Sequence, residues 1–357
     1  MKAPLVSVCM PLYNTERFVG EAIQGVLSQT YRNLELIICD NCSTDRSLEI
    51  VERFAREDSR VRLVRNRRNL GYAGNLHKVM SLAQGDFVIV HCADDLSAPT
   101  GIEKMVKLAM APGVDRNNVI VLTDSFVADA GGQPTGVHRK RPDGYDLAHA
   151  TLADYQASGA IDRFKGRDAL SYALPRLTVV GWLGATLISR SLFQSIEGVY
   201  NGLLYTPDLQ MNYHLLSRNP DVLWLREALF FWRLHESGQI GQARSMAVPR
   251  HAWDGYTYTF HFPPAQLREW GIRPEALAET FIDTLCLRKA LQEIRSGSML
   301  LAFRHVCIGL ATYPRLTLRN GKFYVALAGI VAGPLGRAVA RLGYAAGVWR
   351  GRGAPAA

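Results

Sequence analysis

Apolar positions in the first 125 residues alternate between two periods. Leu5–Met10 (LVSVCM) is a continuous apolar run and reads as a buried strand. Phe18, Ala22, Ile23, Val26 and Leu27 then recur at helical spacing, with Asn14 or Thr15 placed to cap the helix. Leu34–Cys39 (LELIIC) is a second strand, and Leu48, Val51, Phe54 and Ala55 mark a second helix. A short strand Val61–Val64, a helix Leu76–Ala83, a strand Asp86–His91 and another at Val119–Leu122 follow. This alternation predicts an α/β fold with a mostly parallel central sheet and helices on both faces. In such sheets ligands bind beyond the carboxyl ends of the strands.

The pattern changes further along. Residues 131–180 scatter Gly, Pro, His and Arg and predict a long loop or lid, then short helices. Thr186–Ser189 and Val222–Trp232 read as strand or mixed segments. From Glu275, Leu277, Phe281, Leu285, Leu291 and Ile294 recur with a helical period, which predicts a helical C-terminal extension. No internal repeat is visible.

At 357 residues, 48% hydrophobic and 20% charged, the chain has the composition of a globular protein of about two domains. The net charge is +9, and its distribution is uneven. From Arg295 onward there are nine basic residues and no acidic one, while residues 1–294 hold 32 of each sign. Phe323, Leu327, Ile330, Val331, Leu335, Ala338 and Leu342 recur in that tail near helical spacing, interrupted by Pro334. A basic, apolar tail fits an anionic membrane surface better than nucleic acid, for which no binding motif appears. Its longest uncharged run, Phe323–Gly336, makes a helix of about 21 Å, too short for a hydrocarbon core of about 30 Å. Six Cys lie mostly in apolar runs, and Met1-Lys2-Ala3-Pro4 leads straight into a strand. Free thiols in a cytoplasmic, reducing compartment are expected. Cys39 and Cys42 make a CxxC without a second pair, a weak zinc signal.

Polar clusters follow the strands: Pro11-Leu12-Tyr13-Asn14, Asp40-Asn41-Cys42-Ser43-Thr44-Asp45, Cys92-Ala93-Asp94-Asp95, and, later, Tyr205-Thr206-Pro207-Asp208. Turn formation and helix capping account for much of the first two. Asp94 and Asp95 are different, because adjacent carboxylates after a buried strand repel and call for a cation or donors. Mg²⁺ sites use one or two carboxylates together with substrate phosphates. The chain has no Walker-type loop and no dinucleotide fingerprint, which disfavours an NTPase or a dehydrogenase.

The segments VSVCMPLYN, LIICDNCSTD and NLGYAGNLHKVMSLAQGDFVIVHCADD, in that order and spacing, resemble the inverting glycosyltransferase family 2 with its GT-A fold. The resemblance covers residues 1–240 and implies a nucleotide-sugar half over 1–125 and an acceptor half over 126–240. Residues 241–357 would be the helical extension. It implies that Pro11, Tyr13 and Asn14 lie against base and ribose, and that Asp40 accepts a uracil-type N–H. Asn69, Gly71 and Asn75 match the second part of the nucleotide site. Asp94 matches the last Asp of the Asp-x-Asp that holds Mn²⁺ or Mg²⁺ on the diphosphate, with Asp95 and His235 as further metal ligands. Arg233 belongs to an Arg-x-His segment near the diphosphate, and Asp208 matches the general base. The implied partners are a nucleotide-diphospho-sugar, with UDP foremost, and a glycan or lipid-linked glycan acceptor in surface polysaccharide synthesis.

Three positions depart from that pattern. Cys92 stands where the first Asp is usual, Gly74 where an Arg is common, and Pro207 where a Glu usually precedes the base. Thiolate is soft and mismatched to Mg²⁺, so Cys92 is not expected to be a ligand. A non-catalytic binding protein on the same fold is the alternative reading.

Overall fold

The computed structural model describes residues 3–138, 157–196, 207–235 and 250–332. The chain forms two compact units: Met1–Leu174 with Thr178–Gln242, and Pro175–Leu177 with Ala243–Ala357.

The first unit is built on one mixed sheet. Its strands are β1 (Val6–Leu12), β2 (Leu34–Asp40), β3 (Val61–Arg65), β4 (Phe87–Val90), β5 (Leu96–Ser97), β6 (Val119–Ala128), β7 (Pro134–His138), β8 (Ile161–Lys165), β9 (Thr186–Ser189) and β10 (Asp221–Arg233). Their order is β3-β2-β1-β4-β9-β6-β10-β5, with β7 also on β6 and β8 also on β10. β1 runs parallel to β2 and β4, and β6 parallel to β10. β9 is antiparallel to both β4 and β6. From β1 the chain builds outward to β3 and then returns to the other side of β1 as β4. That reversal makes the β1–β4 junction a topological switch point, with its crevice at the strands' carboxyl ends.

The apolar periods explain the packing. Every residue of β1 is buried. Helix α1 (Val19–Leu27) buries Val19, Ala22, Ile23, Val26 and Leu27. Helices α2 (Ser47–Glu57) and α3 (Gly71–Ser81) follow, and α4 (Gly101–Ala109) buries Ile102, Met105, Val106 and Ala109. Much of this apolar surface joins strand residues such as Val8, Leu36, Ile89 and Val121 in one core.

Several boundaries differ from the sequence expectation. β1 runs on to Leu12 and takes in Pro11, which pairs with Cys39. The β4 pairing ends at Cys9, so β1 has one strand neighbour at Pro11, and the missing N–H is tolerated there. Helix α3 begins at Gly71, a turn earlier than its apolar stripe indicates. The stretch expected to be irregular contributes β7, β8 and helix α5 (Gly166–Ala173), because β6 and β10 offer it free edges. Its residues 139–156 lie outside the described residues. Val222–Trp232 falls within a single 13-residue strand. Short helix α6 (Arg190–Gln194) follows β9, and α7 (Pro207–Ser217) precedes β10.

The second unit is helical: α8 (Arg250–Tyr258), α9 (Pro264–Glu269), α10 (Pro274–Thr280), α11 (Lys289–Ser296), α12 (Met299–Thr312), α13 (Pro314–Arg319) and α14 (Gly321–Ala332). Proline opens α9, α10 and α13, where its missing N–H costs nothing. Between α10 and α11, Phe281–Arg288 winds as a π-helix. Gly297, at φ 92°, ends α11, and the Ser298 N–H returns to the Glu293 carbonyl at 2.8 Å. Phe281, Leu287, Ile294, Val306, Phe323 and Ala326 form this unit's own core. The tail stripe divides on folding: Phe323 is buried, while Leu327 and Val331 are exposed. Tail residues beyond 332, including Pro334, Leu335, Ala338 and Leu342, lie outside the described residues.

Candidate active site

The loops after β1 and β2 are sewn together by reciprocal hydrogen bonds. Asn14 sits at φ 50°, a left-handed conformation that Asn tolerates. Its N–H donates to Ser43 Oγ at 3.1 Å, and its Oδ1 accepts the Thr44 N–H at 2.8 Å. The Thr15 N–H donates to Ser47 Oγ, and the Glu16 N–H to Asp45 Oδ2. The Arg46 N–H closes the set on Glu16 Oε2 at 2.9 Å. Asp45 also accepts the Ser47 N–H at 3.0 Å, an i to i+2 turn one residue outside the Arg46 N-cap of α2. Burial works against its charge, but these hydrogen bonds hold its carboxyl below the usual range. Tyr13 is 47% exposed at the head of this wall, whereas Pro11 is buried in β1. Asp40, the last residue of β2, is buried and accepts the Ser43 N–H at 3.1 Å.

Behind this wall lies an asparagine network. The Asn66 amide donates to Asn41 Oδ1 at 3.0 Å and to Asn75 Oδ1 at 2.9 Å, and its Oδ1 accepts Lys78 Nζ at 2.6 Å. Asn41 Nδ2 reaches Asn69 Oδ1 at 2.9 Å and the Gly71 carbonyl at 3.2 Å. Buried Asn75 donates to the Cys39 carbonyl at 2.8 Å. Asn69 and Asn75 therefore fix the start of α3 against the ends of β1 and β2. Asn41 belongs to the polar cluster after β2, whereas Asn66, one residue past β3, carries no such mark in the sequence.

The acidic corner follows β4. One ligand atom each from Cys92, Asp94 and Asp95 lie within 4.8 Å of one another. Asp94 Oδ2 is 2.9 Å from His235 Nε2. Asp95 is 4% exposed, and its Oδ1 accepts the Arg233 N–H at 2.9 Å. Burial, then the neighbouring Asp94, pushes the Asp95 carboxyl well above its ordinary range, against the pull of Arg233. Burial, then Asp95 and Asp94, likewise pushes the Cys92 thiol up, so it stays protonated at neutral pH.

Arg233 and His235 hang from the end of β10 and pack on Phe18, just before α1. The Arg233 guanidinium lies 4.8 Å from the Phe18 ring centre and donates to Glu21 Oε2 at 2.7 Å. The His235 ring lies 4.4 Å from Phe18. Phe18 and Glu21 were not legible as site residues, since each fits a helix position by itself. Ser237, which follows the Arg-x-His segment, lies outside the described residues.

Asp208 occupies the first turn of α7, where a carboxylate suits the helix dipole. Its charge is the weakest of those that push the Cys92 thiol up. Tyr205 and Thr206, just before, lie outside the described residues.

Asp94, with Asp95 and His235, offers oxygen and imidazole donors that suit Mn²⁺ or Mg²⁺. A cation there would offset the repulsion that now raises Asp95. The protonated, soft Cys92 thiol does not fit that role.

Residues 7–166 match the family model described as Glycosyl transferase family 2. The putative glycosyltransferase EpsE of Bacillus subtilis (strain 168) is 44% identical over 104 residues, 29% of this chain and 37% of EpsE. The Escherichia coli UDP-Glc:alpha-D-GlcNAc-diphosphoundecaprenol beta-1,3-glucosyltransferase WfgD is 34% identical over 122 residues, 34% of this chain and 46% of its own. In both pairs the match spans less than half of the relative's length. Staphylococcus aureus TarS 1–349, solved with UDP-GlcNAc, superposes with TM-score 0.61 at 12% identity over 96% of this chain and 92% of its own. The mannosyltransferase PcManGT of Pyrobaculum calidifontis, solved with GDP-Man and Mn²⁺, gives TM-score 0.53 at 18% identity over 95% and 88% of the two chains. Identities this low speak to fold alone. Residues 7–166, which carry β1 to β4 and the acidic corner, thus match the family 2 glycosyltransferases, and the chain shares its fold with solved glycosyltransferases.

Proposed function

We propose that this chain transfers a sugar, with inversion, from a nucleotide diphosphate donor to a glycan or lipid-linked glycan of a surface polysaccharide. The observation that carries the reading is the Asp94–Asp95 pair at the switch-point edge, gripped by the Arg233 N–H and His235. The stitched wall of Tyr13, Asn14 and Asp40 would take base and ribose. Asp94, with Asp95 and His235, would hold Mn²⁺ or Mg²⁺, and the ion would neutralise charge on the departing diphosphate. Arg233 adds positive charge at the same corner. Asp208 would take the proton from the attacking acceptor hydroxyl, a contribution typically worth 10²–10⁴-fold. UDP is the favoured donor nucleotide; WfgD is named for UDP-Glc, and TarS was solved with UDP-GlcNAc.

The test is a thermal-shift panel of UDP, GDP, dTDP and CDP, each with and without Mn²⁺. A ligand that binds only the folded chain raises its melting temperature by mass action. A metal-dependent rise with one nucleotide supports the donor site, and Asp208→Asn should then keep that rise and lose transfer. Full transfer by Asp208→Asn removes Asp208 from the role of base. The protonated Cys92 in place of an aspartate favours a second reading, a donor-binding protein without turnover. It predicts a nucleotide-dependent rise with no metal-stimulated release of sugar from the donor.

A peripheral membrane position completes the proposal. In the second unit Leu300, Phe303, Tyr324, Leu327 and Val331 are exposed, and Val331 reaches 79%. Ile294, near the end of α11, lies against Gly329 of α14, and α12 starts just after α11. Exposed Arg315 and Arg319 add charge suited to anionic lipid. No helix among the described residues is long and apolar enough to cross a membrane. Binding to vesicles containing phosphatidylglycerol, but not to pure phosphatidylcholine, is the expected result.

A further inference from the structure

Trp182 and Trp232 lie ring to ring, with centroids 6.2 Å apart and planes 29° apart. His138 meets Trp232 edge-on, with centroids 5.5 Å apart. Neither indole is sealed in the core; both are half-buried. The three rings come from β7, from the loop before β9 and from the end of β10, so only the fold assembles them.

Their position is defined from two sides. β5 pairs with β10 through Ser97 on Phe230 and Leu96 on Phe231. One further residue along that register sets Trp232 beside Asp95, and the next N–H, that of Arg233, is bonded to Asp95. On the other side, Val180 is clasped by α7. Its N–H donates to Asn212 Oδ1, and its carbonyl accepts Asn212 Nδ2, both at 3.2 Å. Asn212 lies one helical turn from Asp208, on the same face of α7. Trp182 follows Val180 by two residues, and its carbonyl is fixed by Thr186 Oγ1 at 2.7 Å. Trp232 thus adjoins the acidic corner, and the segment that leads to Trp182 is tied to α7 one turn after Asp208. The loop also leaves room for the ring: a Cβ on Gly184 would stand 2.5 Å from the Trp182 indole.

We propose that Trp182 and Trp232, edged by His138, are the platform for the acceptor's pyranose ring. A pyranose presents C–H groups on its faces and hydroxyls around its rim. An indole face carries negative potential that attracts C–H groups, and it leaves the rim hydroxyls free. A sugar on this platform has its rim between Asp208 and the Asp94–Asp95 corner, the place a transferase needs for an attacking hydroxyl. The inference rests on the transferase reading and adds the acceptor subsite to it.

The experiment uses the full chain with Mn²⁺ and the nucleotide that raises its melting temperature. Methyl β-D-glucopyranoside and methyl β-D-N-acetylglucosaminide are the probes, read by saturation-transfer NMR. Saturation of the ring C–H protons is expected in the wild type. It should fall about 3- to 10-fold in Trp232→Leu and Trp182→Leu, with nucleotide affinity unchanged within about twofold. Trp232→Phe should restore part of the signal. Gly184→Ala, which displaces the Trp182 ring without altering it, should mimic Trp182→Leu. Unchanged signals in the Leu variants, or no saturation of either glycoside while nucleotide binds, overturn the platform alone. Failure of every nucleotide to bind overturns the transferase reading and the platform with it.

Discussion

The N–H of Arg233 donates to Asp95 Oδ1 at 2.9 Å across 138 residues of sequence. The bond ties the last residue of β10 to the turn after β4, and it is accepted by a carboxyl that burial and Asp94 already push toward protonation.

Asp95→Asn keeps an acceptor for that N–H and removes the repulsion with Asp94. Its melting temperature is expected to stay within about 2 °C of wild type, while metal-dependent nucleotide binding falls at least about tenfold. Asp95→Ala should add a loss of about 1–2 kcal/mol, from the orphaned N–H, in urea unfolding. Equal metal-dependent binding in wild type and Asp95→Asn would show that the carboxylate only positions β10.

The Asn66 hub makes a second prediction. Asn66→Asp replaces two donors with an acceptor that faces the amide oxygens of Asn41 and Asn75. A loss of about 2–4 kcal/mol is expected, since buried polar networks fail as a unit. Urea midpoints measure it, and a change under about 0.5 kcal/mol would mean that water replaces the hub.

His91 is buried, its Nδ1–H donates to the Cys92 carbonyl at 3.0 Å, and its Nε2 has no protein partner. Burial lowers its pKa to about 4 from 6.5. The unfolded chain therefore takes up a proton that the folded chain refuses. Stability present above pH 6.5 should drain by about 3 kcal/mol as pH falls to about 4. In His91→Gln that slope should flatten, whatever the variant's stability at pH 8. Chemical denaturation across this range reads both curves.

The sequence carried the parallel half of the sheet well. Continuous apolar runs such as Leu34–Cys39 have few other places to go, and Val19, Ala22, Ile23 and Val26 share one helical face. Edge pairing was harder: β7 and β8 owe their extension to β6 and β10, not to their own composition. The acidic corner was visible because Asp94 and Asp95 are adjacent. Of its supports, Arg233 and His235 were marked by the resemblance, while Phe18 and Glu21 were not. Glu21, which Arg233 reaches across 212 residues, looks like an ordinary surface charge until α1 and β10 are brought together. The same holds for Trp182 and Trp232, which lie 50 residues apart in the sequence and ring to ring in the fold.

In the second unit, Asp283 on the π-helix gathers Lys322, Asn320 and Arg288. Burial opposes its charge, but hydrogen bonds from Lys322 and Asn320 and the charges of Lys322 and Arg288 hold the carboxyl below the usual range. Its stabilising effect is present above the unfolded pKa of about 3.9 and is lost as pH falls through the lower folded value. Asp283→Asn should cost about 1–2 kcal/mol at pH 7 and less as pH drops toward 3. A pH-independent difference would locate the loss in packing instead.

The reciprocal bonds of Asn14, Thr15 and Glu16 with Ser43, Thr44, Asp45, Arg46 and Ser47 make two loops into one rigid jaw. Ordering entropy is then charged to folding, before any nucleotide arrives. Substitutions along this seam should weaken donor affinity by letting the jaw open, and they should speed donor dissociation even where they touch no part of the donor.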